Sequence, residues 1–188
     1  MNSGQKNYAV LGIGNALVDV INVLEDDSPL TEFGLPRGSM TLVDTELSRK
    51  IFNTTLHNKR EITTGGSAAN TIHTLARLGS KCGYLGKIGE DKLGTVFKEE
   101  FEQKKIKTHL FISDKDTGRV MSIVSTDSER TMATYLGAAA DLRPAELSPD
   151  IFSEYSILYI EGYLVQDHLL IETAIDLARK EGLRIAID

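Results

Sequence analysis

The chain alternates between short apolar runs rich in branched residues and longer stretches in which apolar residues recur at helical spacing. The runs have the composition of strands buried on both faces, and the longer stretches have the pattern of helices with one apolar side. This alternation occupies 8–14, 61–105 and 156–187. Strands that alternate with helices predict an α/β fold in which a parallel sheet is flanked by helices.

Two other segments contain short strand patterns that are separated by turn residues instead of helices. They are 16–43 and 108–136, and the second contains turns at 114–118 and 127–129. Strands joined by short turns are typical of antiparallel pairing. We therefore predict one domain over residues 1–188, in which these two segments form a small antiparallel β lid inserted into the parallel sheet.

Two adjacent glycines connect a β-prone run to a helical pattern. Gly65 and Gly66 follow 61–64, and the helix that they open extends to Leu78. Adjacent glycines permit backbone conformations that a side chain forbids, and they let a ligand come close to the main chain. The helix behind them offers free N–H groups and the positive end of its dipole, which predicts a pocket for hydroxyls or phosphate. Asn70 lies in the first helical turn, where its amide can face a ligand. A tight turn without any ligand is the alternative.

The ends of the predicted strands carry polar residues where open α/β sheets bind ligands, beyond the carboxyl ends. Asn15 follows the first strand and Glu161 follows 156–160. Asp19 lies inside the apolar run 17–21, where a carboxylate needs either a protein donor or the hydroxyls of a ligand. We predict that these side chains share one site with the glycine turn.

Composition narrows the function further. A net charge of -6 argues against broad nucleic-acid binding, because phosphate backbones need basic faces. No segment is long and apolar enough for a membrane span, and 1–7 lack the apolar stretch of a signal peptide. The single cysteine, Cys82, excludes an internal disulfide and indicates a buried thiol in a cytoplasmic protein. No metal site is predicted, because the histidines lack metal-ligand spacing. They are His57, His73, His109 and His168.

Several blocks, in the same order, resemble the PfkB (ribokinase-like) family of carbohydrate and nucleoside kinases. Blocks similar to the family's opening strand, its first signature and the segment after it lie at 12–19, 65–79 and 86–94. Those that most resemble the bacterial adenosine-kinase-like branch lie at 129–132, 136–138 and 159–164. The resemblance covers nearly the whole chain after Asn7. It has one small departure, since Ile72 stands where the signature usually has a small residue.

The resemblance implies transfer of the γ-phosphoryl group of ATP, with Mg²⁺, to a hydroxymethyl group of a nucleoside or sugar. It implies that Asp19 accepts hydrogen bonds from a vicinal diol of the acceptor, with help from Asn15 and Asn70. Charge-assisted bonds of this kind are the strong ones. It also implies that Gly65 and Gly66 let the acceptor approach the backbone.

Two further residues receive roles from the same resemblance. Arg130 is expected near the transferred phosphate, where its charge offsets developing negative charge; a surface arginine after a turn is the alternative. Glu161 is expected to be structural or part of the wall of the substrate pocket rather than catalytic.

One family feature is absent from these 188 residues: the second signature, a Gly-Ala-Gly-Asp-like turn that carries the catalytic aspartate and the anion hole. The resemblance therefore implies that this chain carries the acceptor site and the lid, and that alone it is inactive. An unpaired strand near 183–187 would favour self-association, for example as a homodimer. The alternatives are a non-catalytic nucleoside- or sugar-binding fragment and a degenerate paralogue. A nicotinamide-dependent oxidoreductase is disfavoured because Leu17 stands where a third glycine is needed.

Overall fold

The computed structural model describes residues 6–55 and 60–188, so that His57 lies outside the described residues. The strands are β1 (Tyr8–Ile13), β2 (Leu17–Val23), β3 (Met40–Leu42), β4 (Arg60–Gly65), β5 (Cys82–Gly89), β6 (Lys107–Ser113), β7 (Gly118–Val124), β8 (Arg130–Tyr135), β9 (Tyr155–Ile160) and β10 (Arg184–Ile187). The α-helices are α1 (Ser28–Glu32), α2 (Thr45–Thr54), α3 (Ser67–Arg77), α4 (Lys92–Gln103), α5 (Pro149–Ser153) and α6 (His168–Lys180). Short 3-10 turns lie at Gly137–Asp141, Pro144–Glu146 and Gly162–Gln166.

The first sheet has the strand order β10-β9-β1-β5-β6, and all of its neighbouring strands are parallel. Successive residues of β1 point to opposite faces, so Val10 packs against α3 and α4 while Leu11 packs against α5 and α6. The interior strand β5, beside the central strand β1, is buried along its whole length. The predicted parallel sheet flanked by helices is therefore confirmed. Strand β10 forms one edge, and its four residues are exposed.

The second sheet has the order β3-β8-β7-β2-β4 and is mixed rather than antiparallel as predicted. The pairs β2–β4 and β7–β8 are antiparallel, whereas β2–β7 and β3–β8 are parallel. One face packs on α1 and α2 through a cluster that includes Val20, Met121, Ile123 and Ala133. The other face is open toward the first sheet.

Two strands lie in the opposite sheet from the one predicted. The run at 108–112 was predicted to belong to the lid segment 108–136, but it forms part of β6, which extends the first sheet beside β5. The run at 61–64 belongs to β4, which pairs with β2 in the second sheet. Both are edge strands, and half-exposed edges lack the continuous apolar pattern that marks the interior of a parallel sheet.

Candidate functional site

A cavity of about 790 Å³ lies between the open face of the second sheet and the segments that follow β1 and β9. It is placed beyond the carboxyl ends of these strands, as expected for an open α/β sheet. The structure brings six of the seven predicted site residues to its lining: Asn15, Asp19, Gly66, Asn70, Arg130 and Glu161. The seventh, Gly65, lies directly beneath the Asp19 side chain.

Asp19 projects from β2 toward the cavity, and its side chain retains 19% of its exposure. Burial raises the pKa of Asp19, and the nearby charge of Arg130 lowers it. Arg130 Nη2 lies 3.7 Å from Asp19 Oδ2, which is longer than a hydrogen bond. The guanidinium instead donates to Ser122 Oγ from Nε and Nη2, at 3.1 and 2.6 Å. The Asp19 carboxylate therefore keeps acceptor capacity for a ligand.

The glycine pair is needed first for contacts within the protein. A Cβ on Gly65 would lie 2.8 Å from Asp19 Cγ, so the carboxylate rests on the bare Cα of that glycine. A Cβ on Gly66 would lie 2.5 Å from the carbonyl oxygen of Asn15. Gly66 also has φ +98, in the region that glycine adopts easily and other residues do not. The turn thus brings β2 and the end of β1 against the start of α3.

Glu161 connects these segments through a buried carboxylate with 1% exposure. Its Oε1 accepts from the Asn15 side-chain amide at 2.7 Å and from the Asn15 backbone N–H at 3.3 Å. Its Oε2 accepts from the Ala68 backbone N–H at 3.2 Å, which caps α3 in place of the missing side chain of Gly66. Burial raises the pKa of Glu161, and hydrogen bonds from Asn15 and Ala68 oppose the rise.

Sequence reasoning placed Glu161 in the pocket wall but missed its capping role. The available signal was a carboxylate directly after a buried strand, together with a helix whose N-cap is a glycine. The partners of this carboxylate are far apart in the chain, since Asn15 and Glu161 are separated by 146 positions. Asn70 lies in the first turn of α3 with its side chain exposed at the cavity.

An apolar region of the cavity was also missed. The open face of the second sheet contributes alternate residues of β2, β7 and β8, and the 3-10 turns contribute small and branched residues on the other side. These residues include Leu17, Val120, Met132, Leu136, Ala139, Leu142 and Leu164. The cavity therefore has polar groups at the ends of β1 and β9 and an apolar region against the second sheet.

Within residues 6–55 and 60–188, no group of three or more His, Cys, Asp or Glu side chains is arranged to hold a metal ion. None of the helices in that part of the chain has the length and apolar character that crossing a membrane requires.

The parallel sheet flanked by helices, the second sheet and the glycine turn that opens α3 at the cavity match the fold of ribokinase-like kinases. The family model described as pfkB family carbohydrate kinase matches residues 39–187, and the chain belongs to this family.

Solved structures of two bacterial kinases superpose on nearly the whole chain. An adenosine kinase from Sinorhizobium meliloti is 33% identical, with a TM-score of 0.83 over 96% of this chain and 56% of that one. A probable sugar kinase from Rhizobium etli CFN 42 is 29% identical, with a TM-score of 0.84 over 97% of this chain and 56% of that one.

Curated relatives include kinases with different acceptors. A 5-dehydro-2-deoxygluconokinase from Geobacillus thermodenitrificans (strain NG80-2) is 26% identical over 172 residues, which are 87% of this chain and 50% of the relative. An aminoimidazole riboside kinase from Salmonella typhimurium (strain LT2) is 31% identical over 121 residues, which are 62% of this chain and 37% of the relative. The chain thus spans about half of the length of the first relative and a smaller share of the second.

Proposed function

We propose that this chain forms the acceptor side of an ATP-dependent phosphotransferase that phosphorylates a hydroxymethyl group of a nucleoside or sugar. Family membership supports the reaction class. The observation that carries the acceptor assignment is the position of the Asp19 carboxylate, which faces the cavity. It lies 3.7 Å from the Arg130 guanidinium, beyond hydrogen-bond distance, and so has capacity to accept hydrogen bonds from a ligand.

In this proposal Asp19 accepts hydrogen bonds from two adjacent hydroxyls of the acceptor. One carboxylate has acceptor positions for both, and bonds to an ionised group are worth about 1.5–3 kcal/mol each. Asn15 is held by Glu161, so its position at the cavity is fixed before a ligand arrives. Asn70 adds an amide from the first turn of α3. Gly65 and Gly66 keep the floor of the site free of side chains.

Arg130 is assigned to the phosphoryl group that is being transferred. Its side chain is 47% exposed, and its contacts among the described residues are hydrogen bonds to Ser122 and the charge of Asp19 at 3.7 Å, so it can turn toward an anion in the cavity. A fixed positive charge there offsets the negative charge that spreads over the phosphoryl oxygens in the transition state.

The shape and polarity of the cavity favour a nucleoside over a free sugar. A diol at Asp19 would occupy only the polar end, and the apolar region against Leu17, Val120 and Leu136 would remain for a planar base. The second sheet forms one wall of this region, and we assign it the role of the lid over the acceptor, with strands drawn from 17–65 and 118–135.

The donor in this proposal is ATP, and Mg²⁺ would neutralise charge on its phosphates. The described residues do not fit a metal site of three or more protein ligands, and we assign no step through the metal to this chain. We place the protein in the cytoplasm, where the buried thiol of Cys82 stays reduced. The exposed edge strand β10 is the surface that we assign to a homodimer.

A non-catalytic nucleoside- or sugar-binding module is the second candidate. It is favoured by the cavity itself, whose polar end and apolar region offer a complete set of contacts to a small ligand. Both candidates predict ligand binding at Asp19. They differ in the full reaction, and we expect these 188 residues to bind the acceptor without consuming ATP. Asp19-dependent ATP consumption by the purified chain would show that the chemistry is misassigned.

The acceptor assignment is tested by calorimetry and thermal unfolding with adenosine, other nucleosides, ribose and hexoses. We expect a nucleoside to raise the melting temperature by mass action and free ribose to raise it less. Asp19→Asn should remove the effect, and Asp176→Asn, the same change at an exposed position of α6, should retain it. Equal affinity of the wild type and the Asp19→Asn variant would refute the assignment.

A further inference from the structure

A cluster of charged and polar side chains outside the cavity ties the end of β4 to α4. Glu100 Oε2 accepts from the Thr64 backbone N–H at 3.0 Å. Lys104 forms an ion pair with Glu100 one helical turn away, and its Nζ lies 3.2 Å from His73 Nδ1 on α3. Thr64 Oγ1 lies 3.5 Å from the same ring nitrogen. The cluster therefore joins the second sheet to both helices of one layer of the first sheet.

The bond from Thr64 to Glu100 replaces a bond that the sheet cannot supply. Among the strands that the structure describes, β4 is an edge of the second sheet, paired with β2 on one side only. Residues on such an edge present unpaired N–H groups. The Glu100 carboxylate accepts one of them, and Thr64 is buried with 4% exposure. Fixing this N–H fixes the last residues of the strand.

The two glycines that follow Thr64 lie against the protein groups that we assign to acceptor binding. The Cα of Gly65 lies beneath Asp19, and Gly66 lies against the carbonyl of Asn15 at the start of α3. A displacement of the end of β4 would remove the support beneath the Asp19 carboxylate. Glu100 does not line the cavity, so any influence on a ligand passes through this segment.

We propose that Glu100 is a positioning residue for acceptor binding, which acts through Thr64 and Gly65 on the orientation of the Asp19 carboxylate. This inference rests on the proposed function, because Asp19 is the group that it orients. Lys104 holds Glu100 in the rotamer that reaches β4, and neutral His73 accepts from Lys104 on the other side. The cluster thus supports the acceptor site from behind without touching a ligand.

The protonation states of the cluster are consistent with this arrangement. Burial raises the pKa of Glu100, but hydrogen bonds from Lys104 and Thr64 bring it below the ordinary value. Burial and the charge of Lys104 lower the pKa of His73 to about 4, so that the ring is neutral at neutral pH. A neutral ring has a free nitrogen that accepts from Lys104.

The test measures nucleoside affinity by calorimetry for three variants, together with the fitted stoichiometry. Glu100→Ala removes the carboxylate that accepts the Thr64 N–H, and it should weaken nucleoside binding about tenfold, by analogy with the loss of one charge-assisted bond. Glu100→Gln keeps an oxygen for Thr64 and should stay within about threefold of the wild type. Glu99→Ala, a change on the exposed side of α4, is the matched control and should leave affinity unchanged. Stoichiometry reports the folded fraction, and affinity reports the geometry of the site.

Should Glu100→Ala fail to fold, Glu100→Asp takes its place, because it keeps the charge but withdraws the acceptor from Thr64. Affinity of Glu100→Ala or Glu100→Asp equal to that of Glu99→Ala would overturn the proposal. A wild type that binds no nucleoside or sugar would instead refute the proposed function. In that case, NMR still tests whether Glu100 affects the Asp19 carboxylate through Thr64 and Gly65. Glu100→Ala should shift the Gly65 amide resonance and the Asp19 carboxyl resonance, and unchanged resonances would reject the positioning role of Glu100.

Discussion

Replacing Glu161 with glutamine tests whether one buried carboxylate holds the polar end of the cavity together. The change preserves size but removes the charge and turns one acceptor oxygen into a donor. Three N–H groups point at the carboxylate, two from Asn15 and one from Ala68. A glutamine has one acceptor oxygen, so in either orientation its NH₂ group faces a buried N–H donor.

The expected cost follows from these contacts. A buried donor left without an acceptor costs about 1–3 kcal/mol, and the bonds that remain lose their charge assistance. Glu161 has 1% exposure, so water does not replace the lost acceptor. We expect Glu161→Gln to lower the free energy of unfolding by roughly 2–4 kcal/mol. At about 2–4 °C per kcal/mol for a chain of this size, the melting temperature should fall by roughly 4–16 °C.

Thermal unfolding followed by circular dichroism at pH 7 measures this shift. Glu172→Gln makes the same chemical change at an exposed position of α6 and serves as the control, with an expected shift of less than about 1 °C. If both variants melt within about 1 °C of the wild type, the three N–H groups are satisfied without the carboxylate. The assignment of Glu161 as the cap of α3 and the anchor of Asn15 would then be wrong.

Three further predictions address separate parts of the chain. Asp19→Asn should weaken acceptor binding by roughly 3 kcal/mol, about a hundredfold, in calorimetry, because the ionised acceptor is lost; an unchanged affinity would contradict the diol role. Gly66→Ala should destabilise the fold by about 2 kcal/mol more than Gly79→Ala, because both glycines have positive φ but only Gly66 lies against the Asn15 carbonyl. Equal losses of unfolding free energy in urea denaturation would show that the turn can widen. His73 should titrate with a pKa of about 4 in NMR. The unfolded chain takes up this proton first, near pH 6.5. The contribution of His73 to the free energy of unfolding, up to about 3 kcal/mol, is therefore fully present above pH 6.5 and is lost toward pH 4. A measured pKa of His73 near 6.5 would refute its burial.

The parts of the fold that were predictable depend on local patterns. Strands β1 and β5 are buried along most of their length and β9 has no exposed residue, so their apolar runs identify the interior of a parallel sheet without knowledge of their partners. Strands β4 and β6 are edges, and their half-exposed patterns are compatible with either sheet. Strand pairing is a contact between distant segments, and the composition of one strand does not identify its neighbour.

The candidate site shows the same division. Asn15 and Asn70 were predicted because a rule about strand ends and helix starts applies to each position separately. Asp19 was predicted because a carboxylate inside an apolar run needs a partner, and the structure brings all three residues to one cavity. The capping of α3 by Glu161 and the support of β4 by Glu100 join residues that are 93 and 36 positions apart. Such contacts follow from the packing of whole elements, which no single segment of sequence encodes.

The glycine turn shows why the site and the fold are difficult to separate by mutation. Its glycines were predicted to admit a ligand, yet the nearest atoms to their missing side chains are Asn15 O and the Asp19 carboxylate. A larger residue at either position would therefore displace Asn15 or Asp19 before it met any ligand. Lost binding in such a variant would not demonstrate contact with a ligand. That inference requires a loss of affinity at full stoichiometry and unchanged stability, which Asp19→Asn can provide and Gly66→Ala cannot.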